Sequence, residues 1–422
     1  MKDCTRAQAA LILLAFFLLL LSKSGQAHFP AFYGKKFVRA EPLRQGEEPR
    51  DETASSAPVD EADADSFEQQ VDALELIGGP YANSVVDPLS SLGRIYRDRG
   101  DYLQAEEFYK RALHIVRVND GLYSERQIPL VRGLLNVHRA AGDMKALDDR
   151  YHYFFNLYGG GKPPYTSLRR RASLEYLRWQ RAAHVSRLDG GGNRRLVELY
   201  LLNKEMLKAV AKTPDMEPSW YRELVLSQIR NLYLLLGNKH PGENFDEPGL
   251  DTPVEHKMAM LQRTGITVGR NLLQGLIEQS QQLDPIERAS LYLELGDWFQ
   301  WNNMPHNAEE EYVIVEQILL EAGEVGLLDQ WLSAPIELPD NDAFRHPSQA
   351  PIDITPVVAT VHFDISAKGQ LTNVEVSTKE PDDETVGWHI KRMLKDTHFR
   401  PRFVSGHAES VEKLTRQYQL VQ

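Results

Sequence analysis

The sequence predicts a mostly α protein: a solenoid of stacked helical hairpins, followed by a small α+β domain of order β-β-α-β. Three observations predict it. Between Val86 and Leu113, the residues Leu89, Leu92, Gly93, Tyr96, Gly100, Tyr102, Ala105, Tyr109 and Ala112 fall at the spacing of two short helices that meet at a turn around Gly100. The spacing returns at Tyr292, Leu295, Gly296, Phe299, Ala308, Tyr312 and Val315. From Val357 the apolar period changes from 3.6 to 2, the change from helix to half-buried strand. A single hairpin cannot bury its own faces, so others must stack on it.

The chain opens with Lys2 and Arg6 ahead of an apolar run of 13 residues, Ala9 to Leu21, and then Gly25-Gln26-Ala27, small residues at the two positions a signal peptidase reads. A membrane span needs about 20 residues, so residues 1–27 read as a cleaved export signal. An uncleaved anchor flanked by Lys23 is the alternative. Cys4 is the only cysteine and is lost with the signal. The mature chain then has no thiol for disulfides, thiolate metal sites or nucleophiles, which suits an exported protein of the bacterial periplasm. The 422 residues suffice for two or three domains, and a net charge of −12 argues against nucleic acid or an anionic membrane surface as a general partner.

Residues 28–66 are rich in Pro, Glu, Asp, Ala and Ser, and read as an acidic disordered spacer, most clearly from Ala40 to Asp65. The helical region is predicted over 67–333. Phe67 to Leu76 opens it. Asp87-Pro88 supplies a cap and a first-turn proline for the first hairpin. A weaker copy follows, with Val131, Leu134, Leu135, His138, Gly142, Tyr151 and Phe154 at a period of 42, against the usual 34. Apolar-periodic stretches at 195–210, 220–236 and 255–283 form a degenerate middle. Asp284-Pro285 then repeats the cap-plus-proline start. Residues 334–356, with Pro335, Pro339, Pro347, Pro351 and Pro356, read as an extended linker.

Several stretches invite a site. Gly159-Gly160-Gly161-Lys162 lacks the phosphate-loop pattern, since Asn156 stands where glycine is needed and Pro163 where Ser or Thr would hold magnesium. Leu168 to Leu188 carries Arg169, Arg170, Arg171, Arg178, Arg181 and Arg187 beside an apolar stripe. It reads as a solvated face with intramolecular ion pairs, or as a docking surface for an acidic segment, the chain's own spacer included. Trp179, Trp220, Trp298 and Trp301 sit at helical core spacing. Glu309, Glu310 and Glu311 read as a solvated turn. The loop of His240, Glu243, Asp246 and Glu247 is polar enough for a cation or substrate, but a self-capped surface loop is the simpler reading. No histidines stand at i, i+4 spacing, and no nucleophile lies beside a base. No catalytic, cofactor-binding or metal-ligating residue is therefore assigned, no cofactor is implied, and the chain is not expected to be an enzyme.

The last domain is predicted over 357–422. Val357, Ala359, Val361, Phe363 and Ile365 alternate with Val358, Thr360, His362 and Asp364 in a first strand. Ser366-Ala367-Lys368-Gly369 makes a turn into a second strand, Leu371 to Thr378. Asp382 or Asp383 caps a helix whose one face is Val386, Ile390, Met393 and Leu394. Phe399-Arg400-Pro401 ends it, and Leu414, Tyr418 and Leu420 mark a last strand.

The hairpin positions Leu92, Gly93, Tyr96, Ala105 and Tyr109 resemble a tetratricopeptide repeat. The strand–strand–helix–strand order, with the pieces FDISAKGQLTNVEV and FRP, resembles the C-terminal domain of TonB-type energy transducers over about 65 residues. That resemblance implies a periplasmic module that takes short partner segments, partly by strand addition to an exposed sheet edge. Here Glu412 to Val421 is the candidate edge, with Lys413 and Arg416 as charges that also protect an edge. Phe399 and Pro401 match the family motif at structural positions. The apolar run lacks the transducer's membrane-helix histidine, and a solenoid stands where the long spacer belongs. The expectation is a periplasmic, non-enzymatic interaction protein, a scaffold or adaptor for a protein or peptide of the cell envelope. No small-molecule substrate is evident, and membrane contact is expected only if the N-terminal helix is retained. The alternative is a membrane-anchored TonB-like accessory of envelope transport.

Overall fold

The computed structural model describes residues 32–33, 37–39, 61–189, 192–214, 216–238, 253–344, 358–378, 384–395 and 397–420. Among these, 13 α-helices pack in chain order: α1 (Glu61–Gly78), α2 (Val86–Asp98), α3 (Tyr102–Asp120), α4 (Ile128–Ala141), α5 (Met144–Leu157), α6 (Ser167–Val185), α7 (Arg194–Ala211), α8 (Pro218–Gly237), α9 (Pro253–Glu278), α10 (Pro285–Trp301), α11 (Pro305–Glu321), α12 (Val325–Leu332) and α13 (Glu384–Lys395). Helices α2 to α11 form five consecutive hairpins, and each hairpin rests on the next. The protein is thus mostly α, compatible with a helical-repeat solenoid.

Close approach within a hairpin depends on missing side chains. A Cβ on Gly93 would stand 2.7 Å from the Tyr109 ring, and one on Gly296 would stand 2.5 Å from Tyr312. Each tyrosine of a second helix therefore fits a notch in the first, at interior density. Tyr109 is clasped from its other side by Gly133 of α4, where a Cβ would approach to 2.3 Å. One residue thus joins the first hairpin to the second. The turns follow their own chemistry. Gly100 (φ +83°) and Gly142 (φ +71°) take the left-handed conformation. Asp101 and Asp143 then accept the amides of Gln104 and Ala146 as N-caps, at 3.2 and 3.0 Å.

Three boundaries differ from the sequence reading. Helix α1 begins at Glu61, inside the predicted spacer, because its Ala64 and Val71 are buried against the first hairpin. Asp87 lies in the first turn of α2 rather than at its cap, since a short 3-10 turn at Asn83–Val85 leads into the helix. The predicted linker is structured in its first part: β3 (Ile336–Leu338) is followed by a 3-10 turn at Asp342–Phe344. Leu338 and Ala343 are buried, and the rest of that linker, with most of the acidic spacer, lies outside the described residues.

The C-terminal region contains the predicted order and more. Strands β4 (Val358–Ile365) and β5 (Leu371–Thr378) form the hairpin, α13 follows, and β9 (Val411–Leu420) returns antiparallel to β4. Ala359, Val361, Phe363 and Ile365 point to a core with Ile390, Leu394, Phe399 and Tyr418. Instead of a simple helix end, the Phe399-Arg400 motif lies in β6 (His398–Arg400), which pairs with β3. A small hairpin, β7 (Arg402–Val404) and β8 (His407–Glu409), follows. The candidate open edge is partly occupied. Strands β1 (Phe32–Tyr33) and β2 (Phe37–Arg39) extend the sheet to the order β1-β2-β9-β4-β5, with Arg39 opposite Tyr418 and Phe37 opposite Leu420.

Candidate functional site

The first helices α6, α8 and α10 of three successive hairpins present one continuous face to the rest of the chain. On it lies the chain's own segment Asp340-Asn341-Asp342-Ala343-Phe344. Asp342 is the centre. Arg178 of α6 donates from Nε to its Oδ2 at 3.1 Å, and Arg230 of α8 forms a second ion pair with its Oδ1. Arg181, one turn along α6, is only 4 % exposed and reaches Ser227 Oγ (2.9 Å) and Asn231 Oδ1 (3.3 Å) of α8. Its Nε has no hydrogen-bond partner among the described residues. Burial lowers Arg181 to about 9, against the attraction of Asp342.

The neighbouring residues of the segment are held as closely. Asn341 donates from Nδ2 to Glu294 Oε1 of α10 at 3.1 Å. Burial, reinforced by the Asp297 charge, raises Glu294 to about 7. Phe344 packs against the core, and its ring lies against Gly237 at the end of α8, where a Cβ would meet it at 3.1 Å. Asp340 accepts from Arg400 Nη2 at 3.2 Å.

Arg400 fastens the C-terminal region to the last hairpin. It is fully buried, donating from Nε to Asp297 Oδ1 (2.7 Å), from Nη2 to Asp297 Oδ2, and from Nη1 to the Trp331 carbonyl (2.8 Å). Burial disfavours its charge, but Asp297, with Asp340 behind it, more than offsets this and raises its pKa. Tyr312 also donates to Asp297 Oδ1, at 3.0 Å. Around this pair, Gln300 donates to the Lys368 carbonyl at 2.7 Å. Glu316 receives the amides of Ser405 and Gly406. Gly369, the predicted turn glycine, has φ +69°, and a Cβ there would strike the Phe399 carbonyl at 2.0 Å. The turn is therefore a docking point as well as a hairpin tip.

Other expectations resolve individually. Arg170 pairs with Glu217 and Arg178 with Asp342, so the basic helix makes intramolecular ion pairs. A segment of the chain does dock on it, but the segment is 340–344. Trp179, Trp220 and Trp298 are core residues. Glu309 is not simply solvated, since it receives the Ala408 amide at 3.4 Å. Gly159, Gly160, Lys162 and Arg169 line a shallow groove of about 560 Å³ with Tyr123, Glu125, Asn156 and Leu157. His240, Glu243, Asp246 and Glu247 lie outside the described residues. Among the described residues, no three His, Cys, Asp or Glu converge as a metal site, and no helix is long and apolar enough to cross a membrane. Sequence reasoning missed Arg400, Asp297, Asp340 and Asp342. The available signal was Arg178 and Arg181, three apart on one side of a helix, which calls for a carboxylate without saying which.

No protein-family model matches the chain, and no curated protein matches it.

Proposed function

We propose that the protein is an exported, periplasmic scaffold or adaptor without enzymatic activity. In this reading a tetratricopeptide-like solenoid supplies the peptide-binding face and a TonB-like module closes its C-terminal end. One observation carries the proposal: the first-helix face already holds a turn-forming polypeptide segment by side-chain recognition, at Asp342 and Phe344. In the first hairpin the positions that match Asp297 and Gln300 are Arg94, which is exposed, and Arg97 of α2. Photo-crosslinking residues placed at Arg94 and Arg97 of the full chain test it in cell envelopes. The expected result is a discrete protein adduct that is absent when the probe sits at exposed Glu107 of α3. Equal, diffuse labelling at all three positions would overturn it.

A membrane-anchored accessory of envelope transport is the second reading, supported by the pairing of β2 with β9. This pairing ties the C-terminal sheet to a point shortly after the apolar run. The mass of the mature chain separates the two: a start at His28 supports the soluble adaptor, and retention of Met1 or Lys2 supports the anchor.

A further inference from the structure

We infer that the α6–α8–α10 face is a binding site for a short, turn-forming acidic peptide of a partner protein, with an aromatic residue two positions after an aspartate, and that Asp340–Phe344 occupies this site in cis. The inference rests on the adaptor reading and names the partner's chemistry.

Three features of the site select this ligand. The first is charge. Arg178 and Arg230 pair with the single carboxylate of Asp342, which also attracts the buried Arg181 one turn along α6. Arginine forks suit carboxylates, and Arg178 and Arg230 approach opposite oxygens of the same group. The second is shape. Gly237 opens a seat for Phe344 beside Trp301, so an aromatic two residues after the aspartate is read by packing. The third is incomplete satisfaction. Arg181 is buried with an unpartnered Nε, although its neighbours Ser227 and Asn231 are aligned to hold it. A fold built only to store Asp342 would gain nothing from a third buried guanidinium. A ligand with a further acidic group finds charge already in place.

The in-cis segment is therefore both template and competitor. A peptide copy of residues 338–346, labelled with a fluorophore, is the probe. It is titrated against the mature chain and against an Asp342→Ala/Phe344→Ala variant, which removes the competing side chains but keeps all three arginines. The variant is expected to bind at least about 10-fold more tightly than wild type, and to lose this when Arg178→Ala and Arg230→Ala are added. Raising the salt should weaken binding, because the contacts are charged. No binding to a variant that melts like wild type would overturn the inference, as would binding that survives loss of both arginines. Tighter binding of a peptide of residues 41–65 would also overturn it, assigning the face to the chain's own spacer. Should the variant not fold, wild type is titrated with the same peptide at low salt and hydrogen exchange over residues 338–344 is read. Faster exchange supports displacement, and unchanged exchange at saturating peptide overturns it. The crosslinks at Arg94 and Arg97 lie elsewhere on the solenoid, so failure here leaves the adaptor reading standing on its own test.

Discussion

The first hairpin and the last are built alike and used differently. Gly93 faces Tyr109 in one and Gly296 faces Tyr312 in the other, and Ala105 and Ala308 are both fully buried. The residue after each glycine separates them. In α2 it is Arg94, exposed, whereas in α10 it is Asp297, buried against Arg400. Three residues on, Arg97 is partly exposed while Gln300 is buried and bonded to the module. The positions that make a hairpin are thus distinct from the positions that decide what sits on it.

The largest expected effect breaks the comparison at that residue. Asp297→Ala leaves the Arg400 guanidinium buried with its main partner gone and should cost about 3–5 kcal/mol, read by chemical denaturation. Arg94→Ala at the matching position should stay within about 0.5 kcal/mol. Adding Arg400→Leu to Asp297→Ala should recover much of the loss, because a missing pair costs less than half of one. Equal losses at Asp297 and Arg94 would mean the junction does not stabilise the last hairpin.

The glycine notches sharpen the similarity. Gly93→Ala and Gly296→Ala should each destabilise by about 1–3 kcal/mol through overpacking. The two losses should be similar, since Tyr312 is pinned by its hydroxyl on Asp297 and Tyr109 is clasped from its far side by Gly133, so neither ring can swing away. A tolerated Gly296→Ala would show that the notch is slack.

These contrasts explain what could be read in advance. Small and aromatic residues at fixed spacing report contacts within a few turns of each other, so the first and last hairpins and the β4–β5 turn were legible. The Asp297–Arg400 pair joins residues far apart in the chain, and a lone aspartate after Gly296 carries no local signature of its partner. Asp340-Asn341-Asp342 among prolines has the composition of a solvated linker. Its order is required by residues distant in the chain, Arg178 of α6, Arg230 of α8, Glu294 of α10 and Arg400 of β6. The occupied edge of β9 was equally out of reach, because β2 comes from the opposite end of the sequence.

The last hairpin should carry a pH dependence of its own. Glu294 has an ordinary value of 4.5 and is held at about 7 in the folded protein, by burial and by Asp297. Below 4.5 it is protonated in both states and its contribution to stability is fully present. As the pH rises from there to 7 the unfolded chain releases the proton first, so that contribution is lost. Part of the residue remains exposed, which discounts the effect to roughly 1–2 kcal/mol. Glu294→Gln, which cannot ionise, should melt like wild type near pH 4.5 and above it at pH 8. A constant difference in Tm across that range would place the titration elsewhere.

The smallest effect tests whether the early turns are equivalent. Asp101 and Asp143 each follow a left-handed glycine and each accept an amide three residues on, whereas Met304 caps α11 without a side-chain bond. Asp101→Ala and Asp143→Ala should each cost about 1 kcal/mol, the usual value of a lost N-cap. Similar losses are expected because each cap satisfies only its own helix end, and neither carboxylate is asked to hold a neighbouring hairpin. The double variant should then lose the sum of the two, read from denaturation midpoints. A loss at Asp143 several times that at Asp101 would mean that its turn also supports the stacking of α6. In that case the repeats differ in their turns as well as in the face they present.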